Sequence, residues 1–378
     1  MRFVFALLAM ILLQACAINP VQLTSICGFK RSVIDISMPS SSAETVNASA
    51  PRRSEDSVLD ALKLSGTVPA SSDGRPIDPS MLFLSGGSQH GAFGAGFLSG
   101  LKKREGNLPK FAVVTGVSTG SILSTFAFVD RPELMADAYS IHSESQLLAP
   151  LVSVTNGAPT TFGYFGLVKK GAIADLAPLR EFLHRALTDD ILARVAQGQR
   201  EGRILRVGVV DVDTGEAVAI DLADMARQWA NAVEARKPAL KDCYVEAIVA
   251  SSSAPLAARP VFIDNRMYID GGARFGAFAN EFTNVVALAR APENFVGGRP
   301  LSPTIYLLIN GDQHTDSRCG RADEAFCDPP RSAQNQGKPL GDPAEPQPVS
   351  THRKWSFLKL ALRSEGILIP ECGEADSG

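Results

Sequence analysis

The tightest constraint in this chain is a pentapeptide, Gly116-Val117-Ser118-Thr119-Gly120, lying between a strand-like run and a helix-like run. Phe111, Ala112, Val113 and Val114 are consecutive apolar residues, as in a strand buried on both faces. Ser121 to Phe128 form an apolar helical segment that stops before Asp130 and Pro132. A serine at the corner of such a strand and helix sits in a strained turn. A β-carbon at either flanking glycine would strike the neighbouring element. The hydroxyl then lies at a helix N-terminus, whose dipole favours developing negative charge, and Ser118 is the candidate nucleophile.

A similar unit comes earlier. Met81 to Leu84 is an apolar run that ends at Ser85-Gly86-Gly87, and a helix-like segment follows with the small residues Ala92, Ala95, Gly96, Ser99 and Gly100. Those small side chains would bring the helix close to the sheet. The glycines would free backbone N–H groups to face an anion above the helix. Taken alone, the same loop reads more readily as a plain strand-to-helix connection.

A serine hydroxyl attacks only when something takes its proton. The candidate bases are His90, His142, His184, His314, His352 and Asp270. Asp270 closes a stretch that reads as two short strands about an Asp264-Asn265 turn, and it is delivered into Gly271-Gly272. Glycines beside an acid remove bulk where the carboxylate must approach another group.

The glycine loop, the serine elbow and the Asp-Gly-Gly, in that order, resemble the patatin-like phospholipase family over roughly Pro79 to Asn310. Gly91-Ala92-Phe93, Pro178 within Asp175 to Leu179, Asp211-Val212-Asp213-Thr214-Gly215, and Ala250 to Pro255 add to the likeness. The resemblance implies an α/β fold, a three-layer α/β/α domain with a central, mostly parallel sheet. It implies a Ser118–Asp270 dyad, an oxyanion loop of Gly86, Gly87, Ser88 and Gly91, an elbow framed by Gly116 and Gly120, and a lipid acyl ester substrate, with no metal or other cofactor. Two positions depart from the family pattern, Ser88 where a glycine is usual and His90 where a basic residue is usual. A positive φ at Ser88 would add strain of order 1 kcal/mol. Two alternatives remain: a Ser-His-Asp triad using His314 or His352, and a non-catalytic protein on the same scaffold.

Met1 to Ala15 has one charge, Arg2, then an apolar run from Phe3 to Leu13 that is too short to span a bilayer and reads as a secretory signal peptide. Leu13-Gln14-Ala15-Cys16 resembles the bacterial lipoprotein box, which implies acylation of Cys16 and a membrane anchor. Ala17 after the cysteine implies sorting to an outer membrane. The expected organisation is a signal peptide over 1–15, a tether with a short helix over 16–78, a catalytic domain over 79–312 and a C-terminal extension over 313–378. The extension would hold a Cys319–Cys327 pair and a final helix from Trp355 to Leu362. Cys27, Cys243 and Cys372 complete an odd set once Cys16 is acylated, so at least one thiol stays free or pairs elsewhere. Leu147 to Leu167 reads as an apolar lid or a core-packing loop.

Composition narrows the partners. With 45% hydrophobic residues the chain has material for a real core. With 37 basic against 40 acidic residues and no clustered excess, nucleic acid is not an expected partner. No Cys-x-x-Cys occurs and no histidine stands near the cysteines at metal-ligand spacing, so no zinc site is expected.

Overall fold

A computed structural model describes residues 26–34, 36, 54–66, 78–135, 148–152, 154–155, 158–159, 171–278, 285, 288–289, 291–310, 357–363 and 366–368. Ten strands form its main sheet. They are β1 (Arg31–Val33), β2 (Ser80–Leu84), β3 (Phe111–Val117), β4 (Ile204–Asp211), β5 (Glu216–Asp221), β6 (Val261–Ile263), β7 (Arg266–Asp270), β8 (Thr304–Leu308), β9 (Phe357–Arg363) and β10 (Gly366–Leu368). The principal order is β1-β5-β4-β3-β2-β8-β9-β10. The four central strands, β4, β3, β2 and β8, are parallel, and antiparallel strands continue the sheet on both sides. The hairpin of β6 and β7 joins it through β4.

Alternation along the strands divides the core into two layers. Leu82, Leu84, Leu205, Val207, Tyr306 and Leu308 pack on one face, under helices α2 (Gly91–Glu105), α3 (Thr119–Phe128), α4 (Ala177–Ala186), α5 (Asp189–Arg200), α6 (Leu222–Asn231) and α7 (Lys237–Ser251). Met81, Phe83, Ala112, Ile204 and Ile305 face the other way, against Leu59 and Leu62 of helix α1 (Ser54–Gly66) and against Phe278, Val285 and Leu301. This is the three-layer α/β/α arrangement, and the alternation along β2, β4 and β8 is its cause.

Of the small residues expected to bring α2 close to the sheet, Ala95 is on the buried face and Gly94 joins it there, while the others are not fully buried. Gly96 and Gly100 are exposed with open space around them, and Ala92 is exposed as well. Gly91, Gly94, Ala95 and Leu98 form the buried face. At Gly94 a β-carbon would lie 2.8 Å from a Leu123 methyl carbon, so the glycine sets the distance between α2 and α3.

Part of the expected tether belongs to the domain. β1 pairs antiparallel with β5 at the sheet edge, and Cys27 just before it is bonded to Cys243 of α7. The turn Asp264-Asn265 has φ of 50° and 60°, as a two-residue hairpin with both central residues left-handed requires, and Asp264 accepts from Gly28 N–H at 2.9 Å. α1 lies on the sheet with Val58 and Leu62 buried, while Ser57 Oγ accepts from the buried Arg206 at 2.6 Å. Its amphipathic spacing was legible, but not the sheet face awaiting it.

The expected final helix is a strand. β9 pairs with β8 and β10 with β9, both antiparallel. Leu358, Leu360 and Leu362 alternate with Lys359, Ala361 and Arg363, a period of two that suits a strand better than a helix. The signal segment, Cys16, Cys319, Cys327, Cys372 and the lid residues Phe162, Tyr164, Phe165 and Leu167 lie outside the described residues.

Candidate active site

Pair registers bring two distant stretches of chain to one point. Along β4, Gly208 pairs with Val117 of β3, and the next residue, Val209, pairs with Asp270 of β7. Where β3 leaves the sheet to turn into α3, β7 takes its place beside β4, running the opposite way. Ser118 and Asp270 therefore meet where one strand ends and the other ends.

Ser118 has φ 53° and ψ −125°, a backbone conformation that L-residues hold only when the surroundings impose it. The flanking glycines are part of that imposition. A β-carbon on Gly116 would lie 2.3 Å from the Gly120 carbonyl oxygen, and one on Gly120 would lie 2.5 Å from the Leu84 carbonyl oxygen. Three consecutive serines, Ser251, Ser252 and Ser253, complete the bracket, with Ser121 beside them. Ser118 N–H donates to Ser251 Oγ at 3.1 Å, and Ser251 Oγ donates to the Gly208 carbonyl at 2.6 Å. The Ser118 carbonyl accepts from Ser121 Oγ at 2.6 Å and from Ser252 Oγ at 3.2 Å. The third, Ser253, accepts the Asp270 N–H on its carbonyl at 2.9 Å. The end of α7 and the two residues after it thus hold the main chain of both Ser118 and Asp270. The triplet was visible in the sequence only as part of a family-like stretch, because its hydrogen bonds to Ser118, Asp270 and Gly208 cross long separations in the chain.

Asp270 is 5% exposed. Burial pushes its carboxyl pKa above the ordinary value, while hydrogen bonds from the Ser118 side chain and the Gly272 N–H pull it back. Gly272 N–H donates to Asp270 Oδ1 at 2.7 Å. A β-carbon on Gly271 would lie 2.6 Å from the Gly208 carbonyl oxygen, so only glycine lets the chain turn away from β4 there.

The glycine loop lies against the serine. A β-carbon on Gly86 would be 3.2 Å from Ser118 Cβ, and Gly86 N–H donates to the Gly276 carbonyl at 3.1 Å. Among the described residues neither the Gly87 nor the Ser88 N–H has an acceptor. Ser88 adopts φ 51°, the strained setting foreseen for a residue at a usual glycine position. Gly91, buried, begins α2.

Of the candidate histidines, His90 lies in the short 3-10 turn after the loop, and His184 of α4 faces Asp242 of α7 at 3.6 Å. His142, His314 and His352 are outside the described residues. Among the described residues no group of three His, Cys, Asp or Glu side chains would hold a metal ion.

A model of the patatin-like phospholipase family matches residues 82–282, which contain the loop, the elbow and the Asp-Gly-Gly. No curated protein matches the chain. Among solved structures it is similar to VipD from Legionella pneumophila, at 14% identity over 54% of this chain and 48% of that one, with a TM-score of 0.33. The chain thus spans about half the length of VipD, and a likeness this distant bears on no functional conclusion.

Proposed function

The chain belongs to the patatin-like phospholipase family, and from that premise we propose that it hydrolyses acyl esters of lipids through a Ser118–Asp270 dyad. The observation that carries the reading is the register that ends β3 and β7 one step apart along β4, which brings Ser118 beside a buried Asp270 carboxylate that accepts from the Gly272 N–H.

Ser118 Oγ attacks the ester carbonyl carbon as its proton passes to the Asp270 carboxylate. The carbonyl oxygen becomes an oxyanion, received by the Gly87 and Ser88 N–H groups and the N-terminal end of α3. Collapse of the tetrahedral adduct breaks the bond to the lipid alkoxide, which leaves with the proton from Asp270. Water then attacks the acyl-serine, Asp270 takes the water's proton, and the fatty acid departs as the proton returns to Ser118. A carboxylate with an ordinary pKa near 4 is a weak base at neutral pH. Burial of Asp270 raises its basicity in the direction the step needs.

We further propose that Cys16 is acylated and anchors the protein at a bacterial envelope, at the outer membrane, with its substrate in the lipid it sits on. The Cys27–Cys243 disulfide supports an exported, oxidising location. The catalytic unit would be residues 79–312, completed by β1, α1 and the β9–β10 hairpin.

Purified protein treated with a fluorophosphonate should carry the label on Ser118 and lose its activity on short-chain and phospholipid esters. Ser118→Ala should neither take the label nor turn over either ester. Undiminished hydrolysis by Ser118→Ala would end the proposal. Release of Cys16→Ala protein from the membrane fraction tests the anchor.

A further inference from the structure

We propose that Asn310, beyond the end of β8, is a positioning residue that fixes the oxyanion loop, acting on Ser85 and Gly87 rather than on substrate. The inference rests on the dyad reading.

β8 runs parallel to β2 with Leu308 paired to Leu84, and the ladder continues one step beyond both strands, where Ser85 N–H donates to the Leu308 carbonyl at 3.0 Å. Two residues further on, Asn310 is fully buried. Its main-chain N–H donates to Ser85 Oγ at 2.8 Å and its side-chain Nδ2 donates to the Ser85 carbonyl at 2.9 Å. Ser85 Oγ in turn donates to the Gly86 carbonyl at 2.7 Å. The residue that starts the loop is therefore held at both its hydroxyl and its carbonyl by one asparagine.

Asn310 also explains two glycines. A β-carbon on Gly87 would lie 1.6 Å from the Asn310 carbonyl oxygen, and one on Gly94 would lie 2.4 Å from Asn310 Oδ1. The main chain of Asn310 is packed directly on the main chain of the loop, at the residue whose N–H would face the oxyanion. Asn310 Oδ1 has no hydrogen-bond partner among the described residues, which is a cost for a buried carbonyl. A leucine or valine would avoid that cost. Neither would donate to the Ser85 carbonyl, so the orphaned oxygen is the consequence of keeping the Nδ2 bond. With Gly86 lying against Ser118 and Gly87 lying against Asn310, the loop is clamped between the nucleophile and the end of β8.

The test uses the full-length chain with a soluble 4-nitrophenyl ester and its thiono analogue, in which sulfur replaces the carbonyl oxygen. A formed oxyanion hole favours oxygen over sulfur, because sulfur accepts hydrogen bonds poorly. Asn310→Ala should lower kcat by about 10- to 100-fold with little change in KM. It should also shrink the ester-to-thionoester rate ratio and leave the pH profile of Asp270 in place. Asn310→Asp, which sets an oxygen against the Ser85 carbonyl, should act in the same direction. Ser85→Ala removes only a small hydroxyl and its two hydrogen bonds, and it should shift the ratio the same way should Asn310→Ala fail to fold. Variants that lose thermal stability but keep the wild-type ratio would make Asn310 a core filler and overturn the proposal. Wild-type turnover that does not depend on Ser118 would overturn the dyad reading, and this inference with it, so the two failures are told apart by the Ser118→Ala control.

Discussion

Replacing Gly120 with alanine is the sharpest test of how the site is built. The new β-carbon would lie 2.5 Å from the Leu84 carbonyl oxygen and 2.7 Å from that of Ser85, where ordinary contact begins near 3.4 Å. Both oxygens are main chain in or next to a central strand, so neither moves cheaply. Relief requires α3 to back away from β2 by something approaching 1 Å, and Ser118, its N-cap, must go with it. Overpacking of this kind costs roughly 1–3 kcal/mol of stability. A displacement of about 1 Å at a catalytic group lowers the rate on the order of 100-fold. The matched control is Gly100→Ala in α2, where the β-carbon meets open space and the change should be neutral or should stabilise by about 0.5–1 kcal/mol. Fluorophosphonate labelling rates give the first quantity and urea unfolding the second. Wild-type labelling by a folded Gly120→Ala protein would refute the claim that main-chain contact at the elbow places the nucleophile.

Asp270→Asn should abolish turnover while leaving the fold intact. Because burial raises the folded-state pKa of Asp270, its ionisation opposes folding as pH rises from the ordinary carboxylate value through the raised one. The asparagine variant should therefore be the more stable protein at neutral pH, with the advantage absent in acid, and thermal melts at several pH values would show it. Activity of the wild type should rise with pH across that same window, above the usual carboxylate range. Reduction of Cys27–Cys243 opens a loop closed across 216 positions, worth at most about 5 kcal/mol by loop entropy. Urea midpoints with and without reductant should separate clearly, and coincident midpoints would mean that β1 and α7 hold together without the bond.

Whatever could be read ahead of the structure obeyed a rule of local chemistry. The elbow was legible because a serine between a buried strand and a helix needs glycine on both sides, and the contacts at Gly116 and Gly120 are with residues a few positions away or with the next strand. The Asp264-Asn265 turn was legible for a similar reason, since both residues tolerate positive φ. Gly96 and Gly100 misled because small size alone does not say which face of a helix is buried. Leu358 to Leu362 misled because a short apolar run fits either period.

The Asn310 clamp, the bracket formed by Ser251, Ser252 and Ser253, the Cys27–Cys243 bond and the docking of α1 were beyond a reading of the sequence. Each joins residues far apart in the chain, and nothing local distinguishes a serine or asparagine that will find a distant carbonyl from one left in water. The chain's own order determined which chemical groups are available: a serine on a strained turn, an acid before two glycines, a glycine-rich loop. Tertiary structure decided that they meet, because only the register of β4 against β3 on one half and β7 on the other sets Asp270 one step beyond Val117.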